Sequence, residues 1–294
     1  MRESRSLGSR IVRRFQAAPA QSMVEFALAL PIVLLMIFGV IEFGRLLQAW
    51  LALENGARFG IRYAVTGEYN VQYCDEAAAA LGYTAKDTDH DCKLEYTDIP
   101  ASEATAALPA SPTPTASQVE DKRKELARDQ TQELQDWARL PSIRDASLSG
   151  ATGIAYDAGV SGDYLGYLAH PTPTFDATYR GDPSQPGFVF TSICSGRKYD
   201  NGDRFYNPKS EFFPYYFPGF SDNNHLYFPE VCTLNDSPSH IKFFRDDAGA
   251  PNDRVRIVLT YRHNMIMPLI STWWPTLRLT TSREGTVEKF RTSR

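Results

Sequence analysis

The hydrophobic positions of the chain are concentrated in one uninterrupted run, the sixteen residues from Phe26 to Ile41. A helix rises 1.5 Å per residue, so this run covers about 24 Å, whereas a bilayer core needs about 20 residues. A span must therefore include flanking residues, from about Gln21 to Phe43, with Pro31 inside it. Membrane helices tolerate proline. We therefore predict a single membrane-spanning helix.

An amphipathic pattern continues beyond the span. Apolar side chains recur at three- and four-residue spacing, which predicts that the helix extends to about Val65, before a stop at Thr66-Gly67. Glu54 and Arg58 are spaced for an i, i+4 ion pair. The apolar positions are Leu46, Trp50, Leu53, Ala57, Ile61 and Ala64.

Small residues also recur every fourth position in this half of the helix, at Ala52, Gly56, Gly60 and Ala64. This spacing allows close approach of two helices. It also suits a helix that packs on a sheet of its own chain, and we favour that intramolecular interpretation.

The pattern near the end of the chain changes to strict alternation. Residues Asp253 to His263, "DRVRIVLTYRH", predict a strand. An apolar connection from Met265 to Trp274 follows, too short to span a bilayer, and then a returning strand. The predicted fold class is α+β, with a long amino-terminal helix and a head that contains an antiparallel sheet and large loop insertions.

Between the helix and the sheet, "LPASPTPTAS" has the composition of a linker. Ser117 and Glu120 are spaced as a capping box, which predicts a charged helix ending near Arg139, before Pro141. Its sparse apolar residues favour a helix on the surface of the head. We therefore expect four segments: a basic leader (1–20), the long helix (21–65), an insertion with linker and surface helix (66–149), which could form a separate lobe, and a loop-rich β head (150–294).

The charge is unevenly distributed. Residues 1–20 hold five arginines and one acid, which gives a net charge of +4. Because the whole chain has a net charge of −4, the remaining residues carry −8. A basic segment directly before an apolar run stays on the cytoplasmic side of a membrane. We therefore expect a single-pass protein of the cytoplasmic membrane with its amino terminus inside and its head outside. A nucleic-acid-binding arm is disfavoured, and we expect no nucleic-acid partner.

All four cysteines follow the span: Cys74, Cys92, Cys194 and Cys232. An even number on the oxidising side of a membrane suggests disulfides. Three pairings are open, and short loops favour Cys74–Cys92 with Cys194–Cys232.

Candidate chemistry is sparse. The cysteine spacings match no zinc pattern. Four acids near Cys92 partly follow a calcium-loop template, but Cys92 occupies the glycine position. There is no GxSxG, HExxH or P-loop, and the histidines share no ligand spacing. We expect no metal, no cofactor and no enzymatic activity. The acids are Asp87, Asp89, Asp91 and Asp98, and the histidines are His90, His170, His225, His240 and His263.

Two glutamates flank the apolar run. Glu42 lies three residues before Arg45, which favours a local ion pair at the outer interface. Glu25 begins the run. It is either an interfacial carboxylate among lipid head groups or a functional group with a specific partner, because an acid in hydrocarbon is costly.

The residues around Glu25 carry a resemblance to a known family. The stretch "QSMVEFALALPIVLLMIFGVIEFGR", with its VEFAL…P core and closing E-x-G-R, and the later "LENGARFGIRYAV" resemble the amino-terminal signature of TadE-like proteins. Those proteins are bacterial pseudopilins of the tight-adherence (Tad/Flp) pilus system. The resemblance covers Ala20 to Val65.

The resemblance implies processing by a prepilin-type peptidase between Ala20 and Gln21, although the family usually has glycine at the Ala20 position. It also implies that Glu25 sets helix register during assembly, by pairing with the amino group of Gln21 in a neighbouring subunit. The partners would be other pilin-like subunits, the peptidase and membrane lipid. The predicted function is that of a minor pseudopilin in pilus assembly. The alternative is an uncut, signal-anchored exported binding domain or enzyme.

Overall fold

The longest element of the computed structural model is helix α1, Ala18–Thr66. The structure describes residues 18–169, 181–182, 184–196, 211–213, 231–237, 240–243 and 246–288. Pro19 lies in the first turn of α1, where a missing backbone donor costs little. Gly67, with φ of 72°, follows the helix in the left-handed conformation that ends many helices. The predicted long helix is confirmed, and it starts three residues before the expected Gln21.

The chain forms two compact units. One contains the chain up to Leu47 together with Met265–Pro275, and the other contains Gln48–Asn264 together with Thr276–Arg294. Residues 66–149 lie wholly in the second unit together with the strands and share its hydrophobic core, rather than forming a separate lobe.

After α1 the second unit continues with short elements. They are a 3₁₀ helix (Val71–Tyr73), α2 (Cys74–Leu81), α3 (Ala101–Ala106), a long helix α4 (Ala116–Gly150) and α5 (Tyr164–Ala169).

Helix α4 differs from its prediction at both ends. Its capping box is formed by Thr115 and Gln118: each side chain accepts a hydrogen bond from the other residue's backbone N–H, at 3.3 and 2.8 Å. The Ser117–Glu120 assignment is therefore wrong by two residues. The helix also continues through Pro141 to Gly150, and its second half is buried rather than lying on the surface. The buried side chains include Leu134, Trp137, Leu140 and Ile143.

The described strands form two three-stranded antiparallel sheets. In the first, β5 (Arg254–Asn264) lies between β1 (Val189–Ser195) and β6 (Thr276–Thr286). The predicted strand, apolar connection and returning strand are confirmed, and the connection contains a short helix, α6 (Pro268–Ser271). The second sheet consists of β2 (Glu211–Phe213), β3 (Val231–Ser237) and β4 (His240–Phe243).

The hydrophobic core of the second unit joins helices and sheet. One cluster combines residues of α2 and α4 with strand residues such as Ile193 and Ile257. A second cluster packs Leu53 and Ala57 of α1 against Leu259 and Tyr261 of β5. The apolar face that the sequence places on the second half of α1 is therefore used inside the chain.

Candidate functional site: the apolar helix and its flanking carboxylates

The first half of α1 presents an exposed apolar surface. The large hydrophobic side chains between Met23 and Phe43 are at least 40% exposed, up to 75% at Met23 and 74% at Val40. No residue in the most apolar eighteen-residue window of this helix is buried in the chain. Among the described residues, this is the one helix long and apolar enough to cross a membrane. A continuous surface of this size indicates an apolar environment outside the chain.

The predicted cleavage position lies at the start of this helix. Because α1 begins at Ala18, the Ala20–Gln21 peptide bond is within the first helical turn. Glu25 follows Gln21 by four residues, about one turn later and on the same side of the helix. The side chain of Glu25 is exposed. The helix thus places the new amino terminus that cleavage would create and this carboxylate on one face.

Glu42, at the other end of the apolar run, is buried and held within its own unit. Only 4% of the residue is exposed. Its Oε1 lies 3.3 Å from Nη1 of Arg45, so the local ion pair expected from the sequence is confirmed. Its Oε2 also accepts a hydrogen bond from the backbone N–H of Ile266 at 3.1 Å. This second contact joins positions 224 residues apart, and no spacing rule could have predicted it.

The contact with Ile266 places the apolar connection Met265–Pro275 beside the end of the apolar run. A Cβ built on Gly39 would lie 3.6 Å from Cε of Met267, so the connection also contacts the helix one turn earlier. Ile266, Trp273 and Trp274 are exposed, by 55%, 78% and 63%.

The small residues in the second half of α1 pack against their own chain. A Cβ at Gly56 would lie 2.7 Å from the carbonyl oxygen of Ser147 in α4, and one at Gly60 would collide with the Ser147 side chain. Ala52 and Ala64 are buried. The intramolecular interpretation of this four-residue repeat is confirmed.

Charged side chains hold this half of α1 from two sides. Glu54 bonds to Thr281 and Arg283 of β6, which replaces the predicted i, i+4 pair with Arg58. Arg139 of α4 is fully buried and donates to the carbonyl oxygen of Ala64 at 3.1 Å, in the last turn of α1. Carbonyl groups at a helix end lack partners within the helix, so this guanidinium completes the end of α1. No pattern in the sequence singles out Arg139 for this role.

Of the predicted cysteine pairs, Cys74–Cys92 is present as a disulfide that links the start of α2 to the loop after it. Cys194 is also disulfide-bonded. The side chain of Cys232 lies outside the described residues, so the pairing of these two stays a prediction.

Asp87 lies beside the Cys74–Cys92 disulfide. It is buried, and burial raises the pKa of this carboxyl. It accepts hydrogen bonds from the backbone N–H groups of Asp91 and Cys92, both at 3.3 Å. Among the described residues, Cys74, Asp87 and Cys92 are the one cluster with the spacing of metal ligands. Because both sulfur atoms belong to the disulfide, this cluster stabilises a turn and does not offer thiolate ligands.

These features define a class of protein: one amino-terminal helix able to cross a membrane, joined to an α+β unit that packs on the second half of the same helix. Within that class, the family model of TadE-like proteins matches residues 20–62. The match confirms the resemblance predicted for this segment, and TadE-like proteins belong to Tad pilus systems. No curated protein and no solved structure matches the chain.

Proposed function

We propose that this protein is a minor pseudopilin-like membrane component that takes part in the assembly of a Tad/Flp type pilus, and that its role is structural rather than catalytic. The observation that carries the proposal is the exposed apolar surface of α1 between Met23 and Phe43, within the segment that matches the TadE-like family model.

A pseudopilin needs such a surface twice. In the membrane, the exposed side chains of α1 contact lipid, because lipid tails and these side chains are similarly apolar. In an assembly, the same side chains pack against the corresponding helices of neighbouring subunits. One face of the second half of α1 is already covered by the head, so the first half, which is exposed all round, supplies most of the contacts between subunits.

The charge distribution supports an orientation. The leader of net +4 remains in the cytoplasm, and the head is exported with its disulfide to the oxidising side. A prepilin-type peptidase then cuts between Ala20 and Gln21 and removes the leader.

The cut creates an ammonium group on Gln21, one turn before Glu25. In a staggered packing of helices, the ammonium of one subunit meets the Glu25 carboxylate of the next. A buried charge pair is best attested as a device that fixes register rather than as a source of stability. Glu25 would thus set the axial position of each subunit.

Mass spectrometry of the amino terminus tests the processing. The full chain is produced in cells with and without a prepilin-type peptidase, and we expect a mature chain that begins at Gln21 only when the peptidase is present. Ala20→Gly, which restores the residue usual in the family, should be cut, whereas the bulky Ala20→Leu should block the cut. An intact leader on the working protein would instead favour the uncut, signal-anchored exported protein.

Incorporation into pili tests the role of Glu25. Glu25→Gln removes the charge and keeps the shape, so we expect it to be cut and inserted normally but lost from the sheared pilus fraction. Glu68→Gln, at an exposed position after α1, is the matched control and should be incorporated. Unchanged incorporation of Glu25→Gln would contradict the proposed register pair.

A further inference from the structure

We infer that the segment Met265–Pro275 is a membrane-interface anchor, which inserts Ile266, Trp273 and Trp274 into the outer leaflet of the bilayer that α1 spans. This inference rests on the proposed membrane topology and adds a second lipid contact, made by a segment that is far from the span in sequence, since Ile266 lies 224 residues after Glu42.

The first argument is position. The segment belongs to the same compact unit as the apolar half of α1. It is fixed there by the hydrogen bond from the Ile266 N–H to Glu42 and by the approach of Met267 to Gly39. Both helix positions lie at the end of the apolar run Phe26–Ile41 from which the chain continues into the head. That end of a membrane span coincides with the outer bilayer interface.

The second argument is composition. Residues Met265 to Leu277 contain no Asp, Glu, Lys or Arg. Two adjacent tryptophans, Trp273 and Trp274, have ring planes at 87° to each other and are both largely exposed. Tryptophan is enriched at membrane–water interfaces because its ring is apolar and its N–H is polar. Water would be an unfavourable environment for this pair and for Ile266 together.

The third argument is the backbone. A segment that enters the apolar part of a membrane must satisfy its polar groups within the protein. Here Met265 N–H donates to the Pro275 carbonyl at 3.0 Å, which closes the base of the segment. Four further backbone N–H groups donate to acceptors within the segment or to Glu42. The two prolines have no N–H and therefore need no acceptor. The donors are Ile266, Ser271, Trp273 and Trp274, and the prolines are Pro268 and Pro275.

The test uses tryptophan fluorescence of the full-length chain in phosphatidylethanolamine–phosphatidylglycerol vesicles. The reference protein carries Trp50→Phe, since Trp50 on α1 is itself partly exposed. The second protein carries Trp50→Phe, Trp273→Phe and Trp274→Phe. Buried Trp137 emits equally in both, so the difference spectrum belongs to the anchor. Quenching is then compared for lipids brominated near the head group, lipids brominated near the chain end, and aqueous iodide.

We expect the difference spectrum to be shifted to shorter wavelength, quenched more by bromine near the head group than by bromine near the chain end, and protected from iodide. Strong iodide quenching without quenching by brominated lipid would overturn the inference, as would stronger quenching from the chain end. Carbonate extraction of the same vesicles separates the two proposals. A chain that resists extraction but fails the quenching test retains its span and loses the anchor, whereas a chain that carbonate releases lacks both.

Discussion

The guanidinium of Arg139 donates a hydrogen bond of 3.1 Å to the carbonyl oxygen of Ala64, so a buried charge in the middle of α4 completes the last turn of α1. The same side chain donates to the carbonyl oxygens of Ala248 and Gly249 and forms an ion pair with Asp136 at 3.0 Å. One side chain thus links two helices to the segment before β5.

Replacement of Arg139 by methionine should strongly destabilise the head. The substitution removes the donor to three carbonyl groups and the partner of Asp136, and the loss of one partner from a buried ion pair costs about 3–5 kcal/mol. We expect a large fall in Tm, which can be measured by near-UV circular dichroism of the full chain in detergent. Arg128→Met on the same helix is the control: its exposed pair with Asp129 should contribute at most about 1 kcal/mol.

Gly56→Ala should also destabilise the packing of α1 on α4. The new Cβ would lie 2.7 Å from the Ser147 carbonyl oxygen and 2.9 Å from the Ala151 side chain. Overpacking of this kind costs about 1–3 kcal/mol, measurable as a lower Tm. Gly44→Ala meets no atom within 4 Å and should cause no loss, since alanine favours a helix. Equal Tm values for the two variants would show that the helices separate easily.

Glu42 should control the attachment of the apolar segment to α1. Glu42→Ala removes the acceptor of the Ile266 N–H, and a hydrogen bond to a charged group contributes about 1.5–3 kcal/mol. Hydrogen exchange at the Ile266 amide should therefore accelerate by roughly tenfold or more. Glu42→Gln keeps an acceptor oxygen but loses the ion pair, so its exchange rate should be intermediate. An unchanged rate in Glu42→Ala would show that other contacts hold the segment.

Tyr73 should make stability sensitive to high pH. Its hydroxyl is hydrogen-bonded to the Asp145 carboxylate, and burial, followed by this bond, raises the pKa of Tyr73 to about 12. An unfolded chain ionises tyrosine near pH 10. Because the folded pKa is the higher one, the contribution to the free energy of unfolding is fully present below about pH 10 and is lost as the pH rises toward about 12.

Tyr73→Phe should consequently flatten the decline in the free energy of unfolding within that window, as measured by urea denaturation at a series of pH values. Part of the decline should remain, because burial also raises the pKa of Tyr164 well above its usual range. An identical decline in the wild type and in Tyr73→Phe would contradict the assignment.

Local rules predicted the elements whose patterns are regular. The apolar run and the amphipathic spacing after it identified α1, and alternation identified β5, because each pattern reflects the geometry of its own element. The same rules stopped α4 at Pro141. An interior proline costs about 3 kcal/mol, but burial of Leu134, Trp137, Leu140 and Ile143 around it offsets that cost, since each such side chain contributes about 1.5–3 kcal/mol.

Contacts distant in sequence were beyond these rules. Glu54 has a suitable cation four residues later, yet it bonds to Arg283, 229 residues away. The capping of α4 shows the same limit on a smaller scale. Thr115–Gln118 and Ser117–Glu120 both have the spacing of a capping box, and in the structure Thr115 is the extended residue that precedes α4 and forms the box with Gln118.

Because Gly56 and Gly60 pack against their own chain, a mutational scan of the second half of α1 would separate positions needed for folding from positions that contact another molecule. Substitutions at the small residues should lower the yield of folded protein regardless of whether a pilus is made. Substitutions at exposed positions of the same stretch, such as Leu51, Asn55 and Arg58, should leave the yield intact, so any defect they cause would map a surface that another molecule covers.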